Sequence, residues 1–172
     1  AAFTTAQKRA GRNDFRIIPN GSNGLEERLA VLWTEGVETG RLTPNEFVAV
    51  TSTNVAKILN IYPRKGAIVE GGDADIVVWD PKISKRISPS NHHSILDYNV
   101  FEGFNVTAQS RYTLSRGDVI WAWGQNSQPQ PGRGKFIPRP AFHSANTALS
   151  KWKELTAPKM IKRDPLNIPA GV

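Results

Sequence analysis

The hydrophobic period of this chain changes once, at Gly66, and that switch limits the folds open to it. Before Gly66, apolar residues recur at helical spacing. After it they come in short runs rich in β-branched and aromatic residues, the composition a pleated surface prefers. Residues 1–24 read as irregular, closed by Pro19-Asn20-Gly21-Ser22-Asn23-Gly24, where Asn and Gly tolerate left-handed backbone. A helix is predicted next, with Asn23 as its cap and Glu26 completing a capping-box spacing. Leu25, Leu29, Leu32 and Trp33 form its apolar stripe, which Gly36 weakens and Gly40 stops. Thr43-Pro44-Asn45-Glu46 is a second start signal: a Thr cap, Pro at the first helical position and Glu at the third. Phe47, Val48 and Val50 are expected to bury that helix. Thr51-Ser52-Thr53 should interrupt it and cap a further turn carrying Val55, Ile58 and Leu59, ended by Pro63.

Four strands are predicted beyond Gly66: Ala67–Val69, Ile76–Trp79, Thr107–Leu114 and Val119–Trp123. Glu70-Gly71-Gly72-Asp73 and Ser115-Arg116-Gly117-Asp118 supply the turns. Two or three helices cannot close a core, and four short strands make half a sandwich, so the chain reads as the end of something larger.

Charge is unevenly placed. Of the net charge of +7, six positive charges fall after residue 127, where eight Lys and Arg face only Glu154 and Asp164. The same tail holds seven of the twelve prolines, so an extended basic arm is expected. Such an arm suits phosphate backbones or an acidic partner surface. Without a base-stacking aromatic array, nucleic-acid binding is disfavoured, and a steep fall of affinity with salt would be its mark. With no Cys, a disulfide scaffold, a Cys-type zinc finger and a thiol nucleophile are excluded. The apolar runs are too short for a membrane span, and the first residues lack the apolar stretch of a signal peptide; the expected setting is the cytoplasm.

Particular blocks carry a resemblance. Gly66-Ala-Ile-Val-Glu-Gly-Gly-Asp-Ala-Asp-Ile-Val-Val-Trp-Asp80 resembles the strand–turn–strand by which amidohydrolase-superfamily enzymes re-enter their small β-domain. Phe3-Thr-Thr-Ala-Gln-Lys8, Ile18-Pro-Asn-Gly21, Phe47-Val-Ala-Val-Thr-Ser-Thr-Asn54, Ala56-Lys-Ile58, Tyr62-Pro-Arg-Lys-Gly66, Tyr98-Asn-Val-Phe-Glu-Gly103 and Gly134-Lys-Phe-Ile-Pro-Arg139 resemble the dihydropyrimidinase and hydantoinase group, in family order. The resemblance is to the C-terminal third of eukaryotic-type members. It implies an α/β chain: the C-terminal part of a TIM-like (β/α)8 barrel, part of a small β-sandwich, and an extended C-terminal arm. The expected divisions are 1–62 for the end of the barrel, 63–127 for the sandwich portion and 128–172 for a basic, Pro-rich oligomerisation arm. The arm would pack on a neighbour in a homotetramer through Phe136, Phe142, Leu149, Trp152 and Leu155, with Ala145–Leu155 as a short helix.

The implied activity is hydrolytic ring opening of 5,6-dihydropyrimidines, dihydrouracil and dihydrothymine, to N-carbamoyl-β-amino acids. Its implied cofactor is a pair of zinc ions bridged by a carboxylated lysine, which would generate hydroxide and polarise the ring carbonyl. The resemblance puts those ligands and the proton-shuttling aspartate upstream of Phe3, so no catalytic or metal-binding residue is assigned here and the chain alone is expected to be inactive. His92 and His93 are adjacent and would point to opposite faces of an extended segment, and His143 stands alone; all three are read as surface or hydrogen-bonding residues. Asp73, Asp75 and Asp80 are read as turn and strand-end residues. Asn105-Val106-Thr107 matches a glycosylation acceptor but is read as strand sequence. Asn20 is the one site residue: the resemblance implies that its main chain hydrogen-bonds the ring amide, from a loop at the active-site end of the barrel. The alternative is a non-catalytic scaffold of the same fold that binds partners through its basic tail. The residues upstream of Ala1 discriminate the two.

Overall fold

In this computed structural model, residues 2–125, 131–139 and 143–161 are described. The chain divides into two compact units, Ala1–Ile137 and Pro138–Val172. The first begins with α1 (Thr5–Lys8), capped by Thr4 with Gln7 returning the bond, then single 3-10 turns at Arg9–Gly11 and Phe15–Ile17. Helix α2 (Arg28–Leu32) runs on into a widened π segment, Trp33–Glu38. Helix α3 (Pro44–Val48) likewise passes through a π segment, Ala49–Thr53, into α4 (Asn54–Ile58). In both π segments a threonine hydroxyl donates to the carbonyl four residues back, Thr34 to Ala30 at 2.9 Å and Thr51 to Phe47 at 2.6 Å. Such bonds compete with the helical ladder and bend it.

The second start signal forms as expected. Thr43 Oγ1 accepts from the Glu46 N–H at 3.2 Å, and Glu46 Oε2 accepts from the Thr43 N–H at 2.8 Å. Thr43→Ala is therefore expected to cost about 1 kcal/mol in a urea melt. Thr51-Ser52-Thr53 widens the helix without breaking it, and no side-chain cap precedes α4. Phe47 is buried, but Val48 and Val50 are about half exposed, contrary to expectation.

The strands are antiparallel. β1 (Ile76–Asp80), β4 (Gln109–Ser115) and β5 (Asp118–Ala122) form a sheet of order β1-β4-β5, and β2 (Lys85–Arg86) pairs with β3 (Asn105–Val106) in a short ribbon. Ser115 pairs with Asp118 across a two-residue turn whose Arg116 and Gly117 have φ of 51° and 86°. Two consecutive left-handed residues make the turn that matches strand twist, and glycine is at home in the second place. The strand expected at Ala67–Val69 does not form: among the described residues no strand pairs with this segment, and Val69 instead accepts from Gly72 N–H in a turn at 3.1 Å.

The core joins helix to sheet. Ala30, Ile87 and Val106 are 4%, 1% and 1% exposed and pack with Val31, Trp79 and Phe101. Trp33, Phe47 and Trp79 form an aromatic triangle with centroids 5.1–5.9 Å apart, tying the π segment after α2, and α3, to β1.

In the second unit, α5 (His143–Thr156) spans the helix expected over Ala145–Leu155. Its Leu149, Trp152 and Leu155 are 59%, 65% and 69% exposed. Phe142 and residues 162–172, which belong to the expected arm, lie outside the described residues. Among the described residues no helix is long and apolar enough to cross a membrane.

Candidate functional site

The loop carrying Asn20 is shaped by what grips it. Pro19 has no N–H, and the last main-chain bond before it runs from Ile18 N–H to Phe15 C=O at 3.2 Å. Directly upstream, Gly11 is buried against Ile18 so closely that an added Cβ would lie 2.3 Å from Ile18 Cγ1 and 2.7 Å from Ile18 N. The Lys8 ammonium, at the end of α1, then donates to Pro19 C=O at 3.1 Å and to Gly21 C=O at 2.7 Å. These carbonyls flank Asn20. Asn20 itself is exposed, and among the described residues it makes no hydrogen bond. The loop is thus held on both sides of a residue whose own polar groups are available.

Beyond Asn20, residues 92–101 strap the segment down. Asn23 Nδ2 donates to Tyr98 C=O, and Asn23 Oδ1 accepts from Val100 N–H at 3.1 Å. Asp97 Oδ1 accepts from Thr5 N–H at 2.9 Å, a bond that holds its carboxyl below the usual range. Glu26 accepts from the His93 main chain at 2.7 Å and pairs with its ring at 3.0 Å, with Lys85 at 3.5 Å. Burial pushes the Glu26 carboxyl up, but the His93 hydrogen bonds and the nearby Lys85 ammonium outweigh it and keep it low. The capping box expected from Asn23 and Glu26 therefore does not form. Both side chains are taken by partners 67–77 residues away, and α2 starts at Arg28 without a side-chain cap.

His92 is part of the strap itself. Its Nε2 lies 3.0 Å from Leu96 C=O, and its Nδ1 lies 3.1 Å from Nδ2 of the buried Asn99. Asn99 Nδ2 donates, so Nδ1 is the acceptor and Nε2 carries the proton. His143 starts α5, and its side chain lies outside the described residues.

Asp73 and Asp75 belong to an ion-pair cluster behind the β1–β4–β5 sheet's hairpin. Lys65 pairs with Asp75, and with Asp73 at 2.9 Å, while Arg64 reaches Asp73 at 3.0 Å. Asp75 Oδ1 also accepts from Arg116 N–H at 2.8 Å, fixing the hairpin turn. Burial raises the Asp75 carboxyl, but the Lys65 and Arg116 bonds outweigh it, so the net shift is downward. For Lys65, burial acts downward and is outweighed by the two aspartates, so its net shift is upward. The sign follows. A lowered carboxyl stabilises the fold fully above its unfolded value and loses that contribution as pH falls through the folded value; the raised lysine loses its own as pH rises through its folded value. Lys65→Met is expected to lower the unfolding midpoint at neutral pH. The gap to wild type should shrink as both are acidified below the ordinary Asp range.

Among the described residues no group of three or more His, Cys, Asp or Glu side chains converges to hold a metal ion. The described residues therefore do not compose a binuclear centre.

The site that sequence reasoning marked at Asn20 gains Lys8, Asn23 and the 92–101 strap from the structure. A lysine eleven residues before Pro19 carries no local signal of that role. Comparison with known proteins converges on one group. The amidohydrolase family matches residues 2–120. Rat (Rattus norvegicus) dihydropyrimidinase is 46% identical over 164 residues, 95% of this chain and 31% of that protein. Mouse (Mus musculus) dihydropyrimidinase-related protein 5 is 46% identical over 140 residues, 81% of this chain and 25% of that protein. The structure of D-hydantoinase (dihydropyrimidinase) from Thermus sp. superposes with a TM-score of 0.75 at 42% identity, covering 80% of this chain and 30% of that one. The chain thus spans about a third or less of the length of these relatives. With an α/β fold matching a solved hydantoinase and the family's sequence pattern running through both the Asn20 loop and the β1–β4–β5 sheet, the chain belongs to the amidohydrolase family.

Proposed function

We propose that the protein carrying this chain opens the ring amide of 5,6-dihydropyrimidines, dihydrouracil and dihydrothymine, giving N-carbamoyl-β-amino acids. The observation that carries the reading is the Asn20 loop, gripped at Pro19 and Gly21 while the polar groups of Asn20 have no hydrogen bond among the described residues. A main chain held rigidly and left available is what positions a small ring with little loss of entropy. In this reading Asn20 N–H donates to a ring carbonyl and Asn20 C=O accepts from the neighbouring ring N–H. Asn23 and the 92–101 strap keep the loop from relaxing into solvent.

Metal ions are typical of the family's dihydropyrimidinases, where they supply hydroxide and polarise the carbonyl. We assign the two zinc ions and the carboxylated lysine to residues outside this chain. The same reading makes residues 1–62 the end of a TIM-like barrel, 63–127 part of a β-sandwich, and 128–172 an arm for a homotetramer. Support for the arm is the exposed apolar set Leu149, Trp152 and Leu155 on one basic helix. The test is direct. The metal-loaded protein carrying this chain should convert dihydrouracil to the carbamoyl acid, and failure to turn over any cyclic ureide or imide would overturn the proposal.

A further inference from the structure

We infer that Lys8 is a positioning residue that sets the donor strength and orientation of the Asn20 main-chain amide. The inference rests on the reading of Asn20 as the group that hydrogen-bonds the substrate ring. Between Pro19 and Ser22, the hydrogen bonds among the described residues are the two from Lys8 Nζ, 3.1 Å to Pro19 C=O and 2.7 Å to Gly21 C=O. Pro19 C=O and Asn20 N–H belong to one planar peptide unit. A cation on that oxygen therefore fixes the plane in which the N–H points. It also withdraws electron density through the amide, which makes the N–H a stronger donor to a ring carbonyl.

Gly21 C=O anchors the far side, so the loop is held at the peptide units before and after the Asn20–Gly21 unit. The chemistry suits lysine: a compact ammonium has three donors and can satisfy two diverging carbonyls at once. Lys8 has no carboxylate partner among the described residues, so its charge is directed at the loop alone. If the lysine were purely structural, its loss would leave the preference between ring ligands unchanged or weaken all of them alike. A positioning lysine makes a ligand with the matching carbonyl bind preferentially.

The test uses the metal-loaded protein carrying this chain and two competitive ring ligands. Glutarimide has a carbonyl on each side of its ring N–H, one for the reacting position and one for the Asn20 N–H; δ-valerolactam has a single carbonyl and can fill only one of those places. Wild type is expected to bind glutarimide about tenfold better than the lactam, the size of one good hydrogen bond. Lys8→Met should cut that preference to about threefold or less and raise KM for dihydrouracil more than it lowers kcat. Lys8→Arg, which keeps the charge, should recover part of the preference. Lys8→Gln, a neutral donor, covers the case in which Lys8→Met does not fold. If wild type shows no preference, the Asn20 reading fails and takes this inference with it. If wild type discriminates and the neutral variants discriminate equally well, or lose both ligands in parallel, Lys8 is only structural and the inference alone is overturned.

Discussion

On the proposed activity, Gly11→Ala is expected to lower kcat/KM for dihydrouracil in the protein carrying this chain by about a hundredfold, while costing about 2–3 kcal/mol of stability. Both effects come from one collision. The added methyl carbon would sit 2.3 Å from Ile18 Cγ1, 2.7 Å from Ile18 N and 2.8 Å from Ile18 Cα. A rotamer change can relieve the first contact but not the other two, which are backbone. Relief to ordinary contact needs a shift of roughly 1 Å, and overpacking of that kind typically costs 1–3 kcal/mol. Ile18 is joined directly to Pro19, so the shift passes into the loop that presents Asn20. A misplacement near 1 Å in a positioning element can lower a rate about a hundredfold. Gly134→Ala is the control: its Cβ would meet nothing within 4 Å, and its effect should stay within about 0.5 kcal/mol. Steady-state kinetics beside urea melts separate the two effects. A variant with wild-type kinetics and reduced stability would show that Ile18 gives way without moving Asn20.

The largest loss of stability alone is expected at Ile87. Its side chain is 1% exposed at the junction of α2, the β2–β3 ribbon and Trp79. Its main chain is committed as well, donating to Phe104 C=O and accepting from Gly103 N–H, both at 2.9 Å. The backbone therefore cannot collapse into the space that Ile87→Ala would leave. Lost transfer energy and an unrelaxed cavity together should cost about 3–4 kcal/mol, against about 1 kcal/mol for Ile87→Val. Urea unfolding followed by tryptophan fluorescence reads the change, with Trp79 packed against the Ile87 cluster. A loss under 1 kcal/mol for the alanine variant would mean that the cluster does not hold the sheet to the helices.

What could be read from the sequence was what neighbours in the chain decide among themselves. Thr43-Pro44-Asn45-Glu46 specifies its helix start because donor and acceptor are three residues apart, and the structure shows both bonds. Asn23 and Glu26 have the same spacing, yet Tyr98, Val100 and His93 claim them. A local pattern predicts a local bond only where no stronger distant partner arrives. Ala67-Ile68-Val69 shows the same limit in the sheet, since β propensity describes a surface that suits a neighbour, and among the described residues no strand pairs with this segment. Ile76–Asp80 has such a neighbour in β4 and forms its strand as read. Asn20 was singled out by resemblance, whereas Lys8, whose bonds span 11 and 13 residues, became visible only in three dimensions.

The strap across the Asn20 segment also fixes an order of events at the ribosome. Its contacts join residues 92 (Thr5 to Asp97), 75 and 77 (Asn23 to Tyr98 and Val100) and 67 (Glu26 to His93) positions apart. Translation proceeds at about 5–20 residues per second, so the Asn20 segment waits about 4–15 s after its own synthesis before Tyr98 exists to receive Asn23. During that interval the restraints on it are local ones already made, the two bonds from Lys8 among them. Slow codons between Gly24 and Tyr98 would lengthen the exposure of this loop to proteases and chaperones, and would do so without altering a single residue of the finished protein.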